Sequence, residues 1–344
     1  MAKRWQNRPE GSNWGEFGDD DQIGRFNLLT DERRREAAKE IREGKPFVLS
    51  LPLDIPGGKG LSDKRKGPQF FSDGIYNTSV ADILAELSGG AARPGCMDVS
   101  CDDGVTLFLQ YSTQWDALSH FGALFDAQGD GVPRKTYYNG WASENMLTPE
   151  QEGGPFSKKL GIEHSARTGV QGRGVMIDLV REFGHDRVIV RFDELKRIMD
   201  KQKVVIETGD IVCLRTGYAE ALWEMGDNPD RVKISNTGSV LDGSDPAMIE
   251  WVTNTPMAAI CSDNLGIEEE HGNCKGELPN NGYTMFPLHH TCLFKLGLHM
   301  AELWYFRELA EWLEANGRTR FFLTAPPLYL PGAAGSPVTP VATV

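Results

Sequence analysis

The stretch from Gln110 to His120 reads QYSTQWDALSH and sets amide, carboxylate and imidazole side chains at regular intervals inside an apolar segment. It ends a run from Val105 to Asp116, VTLFLQYSTQWD, whose β-branched and aromatic residues predict a strand. In a strand every second side chain shares a face. Gln110, Ser112, Gln114 and Asp116 would then form a polar stripe, with Leu109, Tyr111, Thr113 and Trp115 on the opposite side. If the stripe faces water, it marks a sheet edge. If it faces inward its groups need partners, because one buried, unpaired polar group costs about 1–3 kcal/mol. His120, four residues after Asp116, can meet them across a turn.

Away from this stretch the pattern alternates strand and helix. Thr30 is the expected N-cap of a helix in TDERRREAAKEIREG that ends near Gly44, and FVLSLPLDIP reads as a strand stopped by Pro56. GGKGLSDKRKGPQFFSDG reads as a long surface loop of the kind that forms lids or binding elements. Further strands are expected around Val175–Leu179, in VVIETGDIVCLRTG, in MAAICSDN and in RFFLTAPPLYL. Helices are expected in FDELKRIMDKQ, DPAMIEWVTNT and YFRELAEWLEANG, the last with Phe306, Leu309, Ala310 and Leu313 on one face and Gly317 at its end. Paired strands and loops are plentiful, which favours a mixed α/β domain over a regular doubly wound sheet. Neither a repeat nor a linker divides the chain. It is read as one domain over 1–344, with an irregular N-terminal extension over about 1–45 and a Gly/Pro-rich C-terminal tail.

Composition narrows the function. A formal net charge of −13 over 344 residues disfavours nucleic acid as a partner, since a polyanion is repelled unless a local basic patch intervenes. The basic runs are Arg33–Arg35, on a helix carrying both charge signs, and Lys64–Lys66. No apolar run approaches the roughly 18 residues of a membrane span, and the first residues lack a signal-peptide core, so a cytoplasmic location is expected. The cysteines at 96, 101, 213, 261, 274 and 292 form no C-x-x-C pair and are expected as free thiols. No G-x-S-x-G elbow, H-E-x-x-H motif or P-loop is present, and GVQGRG has the wrong spacing and position for a dinucleotide fingerprint.

The remaining chemistry lies in two clusters. PLHHTCLFKLGLHMAELW supplies His289, His290 and Glu302, and two adjacent histidines on a helix diverge by about 100°, so one of them serves any given site. SDNLGIEEEHG supplies Asp263 and Glu268, for which a surface acidic turn is the expected reading. Tyr111, Trp115, Phe121, Tyr137, Tyr138 and Trp141 suggest a flat or aromatic ligand, or simply core.

Taken in order, NWG…DDDQIGRFNLLT, STQWDALSHFG, GRGVMIDL, TGDIVCLRTG, SDNLGIE, LHHTCLFKLGLHMAELW and APPLYLPGAAGSPVTPVA resemble the cyclase family of metal-dependent hydrolases, which includes bacterial kynurenine formamidase and isatin hydrolase. The resemblance implies a swivelling β/β/α fold, a homodimer or homotetramer, and a divalent metal. The family hallmark H-x-G-T-H-x-D-x-x-x-H here becomes Gln110, Ser112, Thr113, Gln114, Asp116 and His120, so that Asp116 and His120 match while both ligand histidines are glutamine. The resemblance thus implies metal ligation by Asp116, His289 and Glu302, with His290 as the fallback for His289, oxygen donation by Gln114 and Gln110, and proton transfer by His120. Trp115, Phe121, Tyr137 and Trp141 are the expected substrate contacts. Glutamine oxygen is a harder donor than imidazole, which weakens a zinc site and leaves one ion, Mn²⁺ or Zn²⁺, as the expected cofactor. The expected activity is hydrolysis of a cyclic or aryl amide, or of a lactone. The alternatives are a small-molecule binding protein on the same scaffold and a metal-independent isomerase or dehydratase.

Overall fold

Runs such as IVCLR, apolar at nearly every position, suit strands covered on both faces, and they form the centre of one large sheet. In chain order its strands are β1 (Pro46–Val48), β2 (Gln114–Asp116), β3 (Gln171–Asp178), β4 (Ile211–Arg215), β5 (Ala259–Ser262), β6 (His299–Glu302), β7 (Arg320–Thr324), β8 (Gly335–Pro337) and β9 (Val341–Thr343). Their spatial order is β1-β9-β7-β3-β4-β5-β6-β2-β8. The pairs β3–β4, β4–β5 and β5–β6 are parallel and the flanking pairs antiparallel, so the fold is mixed α/β as the sequence predicts. The structure is a computed structural model that describes residues 4–57, 61–148, 156–270, 274–275 and 282–344. His271 lies outside the described residues.

Alternation along the strands divides the core in two. Val212 and Leu214 of β4, with Ile260 and Met300, pack on the face covered by α2 (Phe192–Gln202) and α3 (Pro246–Asn254). Ile211 and Cys213, with Cys261, Ala301 and Trp115, pack on the face covered by α4 (Arg307–Ala315), whose Leu309, Ala310 and Leu313 point inward as expected. No helix among the described residues is long and apolar enough to cross a membrane.

Three local expectations change. The helix after Thr30, α1, spans Asp31–Ala38, with the Thr30 hydroxyl accepting from Arg33 N at 3.2 Å as predicted, but it stops short of Gly44. There the N–H groups of Glu43 and Gly44 turn to donate to Val344 O. The strand expected over 47–56 is confined to β1 and a single bridge at Ser50. The strand expected over 105–116 is two separate pieces. Gly104–Thr106 pairs with Gln69–Phe71, away from the main sheet, and only Gln114–Asp116 joins the sheet as β2. Between them the chain turns, with Tyr111 N donating to Phe108 O at 3.1 Å and the Tyr111 hydroxyl donating to Pro56 O.

The N-terminal segment is irregular, yet it is locked to the body. Trp5 and Trp14 are core residues, and the Arg25 guanidinium donates to the carbonyls of Val252, Thr253 and Thr255 at the end of α3. Gly24, at φ +52°, lies so close to Gly297 that a β-carbon would sit 2.0 Å from its carbonyl oxygen.

Candidate metal centre

The register of β6 against β2 sets Glu302 opposite Gln114 and Ala301 opposite Trp115. Paired residues share a face, so Glu302, Gln114 and, two residues along, Asp116 project to one side while Trp115 goes to the other. The Gln114 amide donates to Glu302 Oε2 at 3.0 Å. His289 reaches the same place from a short helix, Pro287–His289, which continues as a π-helical turn over His290–Lys295. One ligand atom from each of Asp116, His289 and Glu302 lies within 4.8 Å of the others, and all three residues are buried. His289 Nε2 is 3.3 Å from Glu302 Oε1.

Glu268 holds this histidine. Its carboxylate accepts from the backbone N–H of Leu288 at 2.6 Å and of His289 at 2.7 Å, and it pairs with His289 Nδ1 at 2.8 Å. The helix start thereby gains an anionic cap, and the ring is fixed with Nε2 turned to the carboxylates. A β-carbon at Gly243 would sit 2.3 Å from Glu268 Oε2, so glycine there leaves the room this carboxylate occupies. The surface acidic turn expected for Glu268 is therefore overturned: it is 4% exposed, because its charge is spent on three donors. Asp263, from the same motif, is also buried and accepts from Thr216 N and Gly217 N, a structural role away from the cluster.

The electrostatics follow from burial. Burial pushes the Asp116 carboxyl up to about 6, with Glu302 adding to the rise and His120 and His289 opposing it. His289 loses from burial but gains more from Glu268 and Glu302, which push it up to about 10. Glu302 is raised by burial and lowered on balance by His289. Both oxygens of Asp116 and the carbonyl oxygen of the Gln114 amide are buried without a hydrogen-bond partner. Such atoms are costly unless a cation or donor meets them. Two carboxylates and an imidazole nitrogen around one point, with the Gln114 amide hydrogen-bonded to one of the carboxylates, are a fitting donor set for a divalent ion.

His120 lies beside the cluster rather than in it, with Nε2 3.8 Å from Asp116 Oδ1 and about a quarter of its side chain exposed. His290 diverges from His289 as helix geometry requires, packing at 4.9 Å from the Phe294 ring, with burial pushing it down to about 3. Gln110 is not drawn into the cluster by any described contact. Its amide packs so closely on Gly335 that a β-carbon there would be 2.5 Å away, and the residue lines a cavity of about 560 Å³ with Leu107, Phe108, Ser119 and Phe156.

Of the expected substrate contacts, Phe121 stands beside the site, its ring 5.5 Å from His289. Phe286, which the sequence reading did not single out, also packs on the His289 ring at 5.6 Å. Trp115 does not line the site: strand alternation turns it into the opposite core, where Nε1 donates to Ala325 O at 2.8 Å. Tyr137 packs against the first core, and Trp141 lies 3.9 Å under the Arg4 guanidinium, sealing the N-terminal segment.

A large sheet buried on both faces, with an acidic and imidazole cluster at one flank, defines a mixed α/β protein with a candidate divalent-metal centre. The chain belongs to the cyclase family: the family profile described as "Putative cyclase" matches residues 49–269. A crystal structure described as a novel cyclase is 32% identical, with 97% of each chain covered and a TM-score of 0.73. Isatin hydrolase A from Labrenzia aggregata shares the fold at 13% identity, covering 90% of this chain and 95% of its own, with a TM-score of 0.53. Isatin hydrolase A from Ralstonia solanacearum does so at 15% identity, covering 89% and 93%, with a TM-score of 0.51. No curated protein matches the chain in sequence.

Proposed function

We propose that the protein is a metal-dependent hydrolase that opens a cyclic or aryl amide, or a lactone. The observation that carries this reading is the pair of buried Asp116 oxygens without hydrogen-bond partners, in one cluster with His289 and Glu302. Asp116, His289 and Glu302 hold the ion, Gln114 adds its amide oxygen, and Glu268 orients His289 from behind. A bound Mn²⁺ or Zn²⁺ supplies Lewis acidity toward a carbonyl and makes water a nucleophile near neutral pH. His120, within reach of Asp116 and partly open to solvent, takes the proton of the attacking water. As the C–N or C–O bond breaks, the same imidazole returns that proton to the leaving nitrogen or oxygen, leaving a carboxylate and an amine or alcohol.

Phe121 and Phe286 both pack on the His289 ring and suit an aromatic substrate, and the apolar cavity beside Gln110 offers further room. Free thiols at Cys96, Cys101, Cys213, Cys261 and Cys292 accord with the cytoplasm as its location. The reading includes a homo-oligomer. It is supported by an exposed apolar arm over 69–106 carrying Phe70, Leu87 and Met97.

Elemental analysis of protein purified without chelator tests the core of this reading. About one divalent ion per chain is expected, together with hydrolysis of a panel of cyclic amides and lactones that EDTA abolishes and Mn²⁺ or Zn²⁺ restores. A chain that neither retains nor takes up a divalent ion would sink it.

A further inference from the structure

The basic run Lys64–Lys66 divides in the fold: Lys64 and Lys66 are exposed, while Arg65 between them is half-buried and turned toward the body. Its Nη1 donates to the carbonyl of Gln110 at 2.9 Å. That single bond uses one of the five donors of a guanidinium. Among the described residues Arg65 makes no ion pair, and its partner Gln110 packs its amide on Gly335, the residue paired with Asp116 across β8 and β2, which brings Arg65 to the flank of the cluster. An arginine serving only to neutralise the acidic cluster would form a direct fork with one of its carboxylates. This one is held off by the Gln110 carbonyl, and most of its fork is left open.

The loop that carries it is fastened on several sides. Asp63 pairs with Arg231 at 2.8 Å, Lys64 N donates to the Ser62 hydroxyl at 3.2 Å, and Gly67 lies against the Tyr111 ring, close enough that a β-carbon would be 3.1 Å from its hydroxyl. A fixed loop lowers the entropy lost when the guanidinium meets a ligand. The planar, permanently charged fork matches a carboxylate in two parallel hydrogen bonds, which a lysine cannot reproduce.

We infer that Arg65, fixed by the Gln110 carbonyl beside the Asp116–His289–Glu302 cluster, anchors a carboxylate of the ligand. The inference rests on the hydrolase reading for the source of that group. It is either the acid generated by ring opening, lying between Arg65 and the ion, or a carboxylate substituent carried by the substrate at a distance from the ion. Arg65 is an anchoring residue, and it also gives the site its preference for acids over neutral isosteres.

The test uses the full chain with benzoate and its neutral counterpart benzamide, titrated calorimetrically into Mn²⁺-loaded and metal-stripped protein. Benzoate is expected to bind the loaded wild type, and Arg65→Gln to weaken it at least ten-fold without changing Mn²⁺ content or the affinity for benzamide, with Arg65→Lys recovering part of the loss. If Arg65-dependent binding of benzoate needs the ion, the carboxylate is the product-type group. If it persists after stripping, or in a chain that proves to hold no metal, the anchor is a substituent subsite and survives even where the metal reading fails. No benzoate binding by the wild type, or equal binding by Arg65→Gln, overturns the inference.

Discussion

The sheet body and the arm over 69–106 treat apolar side chains in opposite ways. All five residues of β4 are buried, and each face of the strand meets its own core cluster. Across the arm, whose pieces are Gln69–Phe71, Tyr76–Ser79, a helix over Val80–Ser88, Val99–Cys101 and Gly104–Thr106, only Ala81 is buried. Phe70 is 75%, Leu87 78% and Met97 92% exposed. Large apolar side chains exposed to this degree commonly mark a surface that meets another. The body buries its apolar side chains within one chain whereas the arm leaves them exposed, and the two should respond to mutation independently.

Asp116→Ala should have the largest effect and fall wholly on the body. It removes a charged ligand, so metal content by elemental analysis and hydrolysis should vanish together, while the sedimentation profile stays that of the wild type. Retention of stoichiometric metal would mean that the cluster is not the metal centre. His120→Ala should reduce turnover by roughly 10²–10⁴-fold with metal content unchanged, because it removes proton transfer and leaves the donors in place. A parallel loss of metal would move His120 from base to ligand. Glu268→Gln should come next, costing about 10–100-fold in metal affinity or activity, as loss of an outer carboxylate behind a ligating histidine does. Competition with a chelator of known affinity measures it, and no change would make Glu268 only a helix cap.

The residues of the site were not equally legible in the sequence. Asp116 and His120 stand in one short motif whose spacing survives translation into a strand end and a turn. His289 was distinguishable from His290 only as one of a diverging pair, since nothing local says which way a helix faces. Glu268 sits in IEEEHG, where three successive acids look solvated, and its burial depends on backbone donors twenty residues later. The strand over 105–116 misled because alternation is a local signal: residues up to Thr106 pair with Gln69–Phe71 within the arm, and those from Gln114 pair with β6. The arm was unreadable for a related reason, as exposed and buried apolar runs look alike until something covers them.

The arm itself offers a smaller effect that completes the contrast. Replacing Phe70, Leu87 and Met97 together by serine should weaken self-association by about 10–100-fold, in the range of losing two or three modest contact residues. Equilibrium sedimentation should show the shift, with metal content and the far-ultraviolet spectrum retained. A wild type that is monomeric at high concentration, or a variant that associates as before, would remove the arm's role in self-association.

The smallest effect tests whether the body's stability is independent of both arm and metal. His299, on β6, is fully enclosed: its ring stacks on Phe26 at 3.9 Å, and Nε2 pairs with the Ser165 hydroxyl at 2.8 Å. Burial pushes it down to about 3 from an ordinary 6.5. The unfolded chain therefore binds a proton at His299 below about pH 6.5 that the folded chain refuses. Its contribution to stability is complete above that value and is lost progressively as pH falls from about 6.5 toward 3, at up to about 1.4 kcal/mol per pH unit. His299→Gln removes the titration. At pH 7 it should be no more stable than the wild type, having exchanged a stacked ring for an amide, but between pH 6.5 and 5 its urea midpoint should fall less steeply. The difference should be the same in the triple-serine arm variant and in metal-stripped protein, since His299 touches neither arm nor cluster. An equal acid slope in His299→Gln and wild type would assign the loss to other groups, His290 first among them, and a slope that changed with the arm variant would show that the two regions are coupled after all.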